Sequence, residues 1–259
     1  MSFYDLSKEE RNTLVRQINK AIFYGLQKNN NDTLKIYFAD EDTYIRKAAY
    51  QETGKIYFAT ENFQPRVLGM LEGFYKETDY RIRQTVINTA GEIGMKNFET
   101  VQYFFDKGLF DSHHAVRNAV IGSMKKIGNK NPKPLLQWAR SYLHHPDKEI
   151  RREICHGIEL RGRTHPQDIL PLLKTLQDDH TARVRNTLVH VLGQISYKKG
   201  CLETVVGDLN TWHNKALTDQ AIEEIIDVHH RYRNFAVLTR DQAITFIRAH
   251  YQQSIIIKS

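Results

Sequence analysis

The apolar positions of this chain follow a helical period. Between about His114 and Lys126 they fall at Val116, Val120 and Met124, and Ile127 follows. That i, i+4, i+8, i+11 stripe lies along one side of an α-helix. Shorter apolar segments precede such helices, at about Pro132–Leu143 and Pro166–Leu176. Pro132 and Pro166 stand 34 residues apart at the same phase, and proline suits a first helical turn, where its missing N–H has no partner in any case. Asn129, Asn131, Gly162 and Thr164 are expected to fill the turns before these segments. No stretch alternates with period 2, so no strand is expected.

The helical pattern repeats. An Ile/Val-Arg pair recurs at Ile45-Arg46, Ile82-Arg83, Val116-Arg117, Ile150-Arg151 and Val184-Arg185, with arginine spacings of 37, 34, 34 and 34. Ten residues after the arginine come Ile56, Ile93, Ile127 and Ile195; the fourth copy has Arg161. Six before it come Asp40, Glu77, Asp111 and Asp179, with His145 in the fourth copy. Five copies at a nearly constant step indicate a stacked repeat architecture. The ends differ. An opening helix over about 7–28 starts with a capping box, Ser7 and Glu10, and Asn29-Asn30-Asn31 breaks it. Helical patterns at about 201–212 and 218–233 lack the arginine pair, and a last helix over about 239–252 begins at Thr239 and Gln242. Atypical end units cap a repeat array. The tail Ile255-Ile256-Ile257 carries no pattern.

Helical pairs of this length with Asp-x5-Arg at the second helix resemble HEAT repeats. The resemblance implies an all-α superhelix of about six helical pairs over residues 1–259, taken as one domain, with regular repeats over about 32–200. It also implies that the acids and the five repeat arginines form a structural ladder between layers, and that the second helices line a concave surface.

Composition narrows the function. With 41% hydrophobic and 26% charged residues the 259-residue chain is an ordinary globular one. No run of about 18 apolar residues could span a membrane, and the first residues lack the apolar core of a signal peptide. The two cysteines, Cys155 and Cys201, suggest a reducing, cytoplasmic setting. The net charge is +7 and the pI about 9.2. From Pro132 to Lys199 there are 12 Lys and Arg against 7 Asp and Glu, so most of the excess sits there. A second stripe, at positions +1, +5, +8/+9 and +12 from the repeat arginine, is polar and rich in nitrogen. Its members are candidates for phosphate contact: Lys47, Lys125, Lys126, Arg152, His156, Arg163, Asn186, His190 and Tyr197, with Lys198 and Lys199 beyond. A basic groove of this kind matches a DNA partner.

Two stretches carry a closer resemblance: Glu149-Ile150-Arg151-Arg152 through Gly162-Arg163, and Leu170-Pro171-Leu172-Leu173 through Asp178-Asp179 and Val184-Arg185-Asn186. Over about residues 149–196 the sequence is similar to the DNA alkylation repair superfamily, the HEAT-like alkylpurine DNA glycosylases, and most to its C-type branch. The resemblance implies a solenoid gripping duplex DNA, with Arg152 on the backbone. The family's Asn and Asp of the last motif are replaced by His190 and Gly193-Gln194, and residues 112–118 lack the Trp and Asp of the D-type branch. Glu92 and Glu159 are the carboxylates left on the stripe, so they are the candidate catalytic groups. The expectation is a monomeric DNA-binding member, on duplex or branched DNA, without strong glycosylase activity. The alternatives are an active alkylpurine glycosylase and a protein-binding scaffold. No metal or cofactor is expected: no phosphate loop, HExxH or CxxC is present, and the pairs His113-His114, His144-His145 and His229-His230 are adjacent and so would not share a site on a helix.

Overall fold

The computed structural model describes residues 2–59 and 61–252, and over them the chain is helical with no strand. The tail Ile255-Ile256-Ile257 lies outside the described residues. The chain clusters into two compact units that divide between Asn131 and Pro132.

The first unit holds α1 (Lys8–Lys28), α2 (Asp32–Ala39), α3 (Thr43–Ala59), α4 (Gln64–Phe74), α5 (Tyr80–Gly94), α6 (Gln102–Gly108) and α7 (His114–Lys130). Helices α1, α3, α5 and α7 lie side by side in one layer, and α2, α4 and α6 pack against them. The expected stripe is the reason: Val116, Val120, Met124 and Ile127 have no exposure. Ser7 and Glu10 form the expected capping box at α1, and Asn29 ends it in the left-handed conformation, φ 56°.

The second unit holds α8 (Pro132–Tyr142), α9 (Lys148–Gly157), the short α10 (Glu159–Gly162), α11 (Pro166–Lys174), α12 (Ala182–Gln194), α13 (Cys201–Leu209), α14 (Lys215–Arg231) and α15 (Arg240–His250). Here α9, α12 and α14 lie side by side, α11 packs on α13, and α15 closes against α13 and α14. Thr239 and Gln242 form the expected box at α15. Two turn assignments are corrected. Asn129 belongs to α7, which runs on until the Asn131 N–H caps the Ile127 carbonyl at 2.7 Å. Gly162 belongs to α10, where a Cβ would collide with Ile169 and Ile195, so the glycine allows close packing rather than a turn.

The repeat arginines are structural, as expected. Each guanidinium turns back on the carbonyls of the connection before its own helix. Arg83 Nη1 donates to the carbonyls of Glu77 (2.9 Å) and Thr78 (2.8 Å), and Arg151 Nη1 to those of His145 (2.7 Å) and Pro146 (2.9 Å). Arg46, Arg117 and Arg185 reach the carbonyls six residues back in the same way. The other edge of the fork meets the acid of the following copy. Arg83 pairs with Asp111 at 2.8 and 3.0 Å, and Arg151 with Asp179 at 2.6 and 3.0 Å. Each acid also accepts a backbone N–H in its own turn, from His113 or Thr181.

Burial pushes the Asp179 carboxyl upward, but the hydrogen bonds from Arg151 and the Thr181 N–H, with the Arg151 charge, outweigh it and hold it below the ordinary value of 3.8. The same balance lowers Asp111. The unfolded chain therefore binds the proton more readily, so this stabilisation is complete above pH 3.8 and is lost as pH falls through the folded-state value. Asp179→Asn should lower stability at pH 7 by about 3 kcal/mol, because Arg151 is left buried opposite a neutral group. In thermal melts the gap between variant and wild type should narrow below pH 4. A gap independent of pH would show that the carboxylate charge is not what holds the layers.

Candidate functional site

The exposed side of the second-helix layer in the second unit forms an open cleft of about 500 Å³. Arg152 and His156 reach it from α9, and Arg183, Asn186, Thr187 and His190 from α12. On each helix these residues recur at three- and four-residue intervals, which places them on one face. Among the described residues no carboxylate lines the cleft. Four of the expected residues, Arg152, His156, Asn186 and His190, are thus brought together. Arg183 and Thr187 were not anticipated. Arg183 sits one turn before Asn186, so extending the stripe backwards by three residues would have found it.

Carboxylates stand behind the cleft and orient its cations. Glu149 accepts from Arg152 at 2.9 Å and pairs with Arg183 at 3.2 Å, so one acid holds both guanidinium groups. Glu159 Oε2 lies 2.8 Å from His156 Nδ1, and Glu224 Oε1 lies 3.4 Å from His190 Nδ1. Each imidazole is held through one nitrogen. The two rings are 6.2 Å apart. Arg163 does not line the cleft. It donates to Glu159 at 2.5 Å and to Gln194 at 3.0 Å, bracing the group that positions His156.

The remaining candidates divide by environment. Tyr197 is buried and stacks on Tyr232 at 5.4 Å, so its ring is a packing element and not a surface contact. It lies three residues past the end of α12 rather than on the helix stripe, and Tyr232, just after α14, covers it. Lys198 covers the same ring, 4.9 Å from its centroid, and Lys199 is exposed. In the first unit Lys47 is exposed and Lys125 half-buried. Lys126 is tied down: it pairs with Glu92 at 2.9 Å and lies 4.9 Å from the centre of the Tyr50 ring. Burial disfavours its charge, but Glu92 outweighs this and raises its pKa above the ordinary value.

The candidate catalytic carboxylates are both engaged with cations. Glu92 holds Lys126, and Glu159 is 1% exposed between Arg163 and His156. Trp138 and Trp212 are buried, and the Trp212 indole donates to Asp208 at 2.7 Å. Trp212 lies just past the end of α13 rather than within it. Both cysteines are buried and free, and burial raises the Cys155 thiol far above its ordinary pKa. His229 is buried while His230 is exposed, as adjacent helical positions should be. His113 and His114 depart from that expectation. They begin α7, and their rings stack at 4.7 Å, with Tyr80 stacked on His113 at 3.7 Å. Among the described residues no three His, Cys, Asp or Glu side chains gather as a metal site would require. No described helix is long and apolar enough to cross a membrane.

No protein-family model matches the chain, and no curated protein matches it by sequence. A solved structure does share its fold. AlkD2 from Streptococcus mutans aligns over 82% of this chain and all of its own, at 17% identity and a TM-score of 0.54. The protein smu.31 from Streptococcus mutans UA159 aligns over 86% of this chain and 97% of its own, at 18% identity and a TM-score of 0.45. The chain therefore has the all-α helical-repeat fold that its periodicity implies.

Glu159→Gln keeps the side-chain volume but removes the charge between Arg163 and His156. It should destabilise the protein by about 1.5–3 kcal/mol, the usual worth of hydrogen bonds to charged groups. A thermal melt unchanged from wild type would show that Glu159 is not the brace of the cleft.

Proposed function

We propose that this chain is a DNA-binding protein related to the DNA alkylation repair superfamily, holding duplex or distorted DNA by its phosphate backbone and lacking strong glycosylase activity. The observation that carries this reading is the cleft of the second unit. Arg152, His156, Arg183, Asn186, Thr187 and His190 converge there, and among the described residues no acid lines the surface. Such a set offers hydrogen bonds and positive charge to phosphate oxygens, which position a duplex without reading its bases. The sequence resemblance over residues 149–196 and the fold shared with AlkD2 support the same reading.

The internal ion pairs set how binding works. Arg152 and Arg183 rest on Glu149 in the free protein. A phosphate entering the cleft competes with that carboxylate for both guanidinium groups. The arginines are thus held ready at a small cost in affinity. Each phosphate neutralised releases condensed counterions, so binding weakens as salt rises.

The environment of the two carboxylates argues against base excision. A departing alkylpurine leaves positive charge on the sugar, and a preorganised anion is worth roughly 10²- to 10³-fold in rate. Glu92 and Glu159 are each neutralised by cations, and the cleft surface favours an anion. The polar lining likewise gives no support to a scaffold that binds apolar protein surfaces.

The double variant Arg152→Ala/Arg183→Ala should weaken binding to any DNA sequence about equally and lower the salt slope by about 2, near 1 for each phosphate no longer neutralised. Glu149→Gln should act in the opposite sense and tighten binding severalfold. Fluorescence anisotropy over a salt series measures both, and absence of DNA binding at low salt would remove the reading. In single-turnover assays on alkylated DNA, release of 3-methyladenine and 7-methylguanine should stay at the spontaneous rate. Robust release would reverse the non-catalytic assignment, and Glu92→Gln and Glu159→Gln would then locate the group responsible.

A further inference from the structure

The turn after α14 presents an apolar side chain on a rigid, basic support. Phe235 is 66% exposed and Val237 56% exposed. This turn joins two helices, a task polar residues perform without exposing apolar surface. Its backbone is nonetheless fixed. The N–H groups of Phe235 and Ala236 both donate to the Tyr232 carbonyl, at 2.7 and 2.9 Å, and the Val237 N–H donates to the Tyr197 carbonyl at 3.0 Å. Tyr232 is itself stacked on the buried Tyr197. The tip is therefore bolted to the end of α12, and Phe235 is held outward.

Two arginines flank it in the chain. Arg233 and Arg240 are exposed, and among the described residues neither has an acid within ion-pair distance. Both line an open depression of about 420 Å³ beside the turn, together with His230 and Leu238. Asp241 is the acid on that depression, while Asp227 and Glu224 are taken up by Arg231 at 2.5 and 2.7 Å. Helix α14, which leads into the turn, also meets the cleft. His190 meets Glu224 on α14, and Arg231, which ends α14, binds the same Glu224 from two turns further along the same face.

We propose that Phe235 is a wedge that enters the base stack of DNA at a weakened step, a nick, mismatch or branch, while Arg233 and Arg240 hold the flanking phosphates. The proposal rests on the DNA-binding reading and adds a structure preference to it. Apolar side chains inserted between base pairs unstack them and kink the duplex. The unstacking is least costly where pairing is already broken. The wedge should therefore favour interrupted DNA strongly and intact duplex little.

The test uses the full chain and linear, nicked and three-way branched DNA carrying 2-aminopurine beside the interruption. Wild type should raise the 2-aminopurine fluorescence of nicked and branched DNA. Phe235→Ala should abolish that rise and weaken binding to those two forms about tenfold, with linear duplex unchanged within about twofold. Phe235→Leu should keep much of the effect. Phe235 is exposed, so its variants should melt with wild type. If wild type binds no DNA, the underlying reading fails. If it binds but leaves 2-aminopurine unchanged, or if Phe235→Ala behaves as wild type on every form, the wedge alone is overturned. Sedimentation with phosphatidylserine vesicles that depends on Phe235 would assign the turn to a membrane surface instead and would likewise overturn the wedge.

Discussion

One interaction recurs through this structure and the rest depends on it. An arginine at the start of each second helix ties the carbonyls of its own connection on one side and, where the register allows, the acid of the following copy on the other. Carbonyls in a connection between helices have no helical partner and would otherwise need water. The rigid fork of a guanidinium satisfies them and a carboxylate together, which a lysine could not do. The step of 28 residues from Arg83 to Asp111 and from Arg151 to Asp179 is what fixes the spacing of layers at these two places. At Arg46 the longer first step puts Gln84 near the guanidinium instead.

With the layers fixed, the side chains one and five residues after each column arginine have no freedom to choose a different face. The cleft follows from this. Arg152 and His156 on α9 and Asn186 and His190 on α12 stand at equivalent positions of successive copies, so the ladder that joins the copies also aligns the cleft. The arginines in and around the cleft then take three roles. Arg151 is consumed by the scaffold, Arg163 braces an acid that positions His156, and Arg152 and Arg183 share an acid at the edge of the cleft. Net charge alone therefore overstates how much positive surface is open to a partner.

The acids decide the chemistry as much as the cations do. A groove carboxylate serves catalysis only if its charge is left for the substrate. Glu159 and Glu92 spend theirs on neighbouring basic groups. The same pairs that make the second-helix layer stable thus lower its value as an anionic site, while Glu149 turns a pair of flexible arginines into an oriented one.

The repeat, the helices and most of their ends are legible in the sequence, because period, capping residues and the Ile/Val-Arg pair are local signals. It also placed Arg152, His156, Asn186 and His190 on one stripe, since equal spacing along helices of one phase means a common face. Which stripe members stay open to a partner depends on how the layers pack. Tyr197 has the right phase but is covered by the turn after α14, a contact 40 residues away in the chain from its carbonyl to the Val237 N–H. Glu159 has the right phase but lies under Arg163. Phe235 follows no period, so no pattern marked it, and its outward position comes from hydrogen bonds to Tyr232 and from the anchor at Tyr197. Periodicity fixes the direction of a side chain from its helix; what covers or pairs with that side chain depends on segments distant in sequence, which meet only when the layers close.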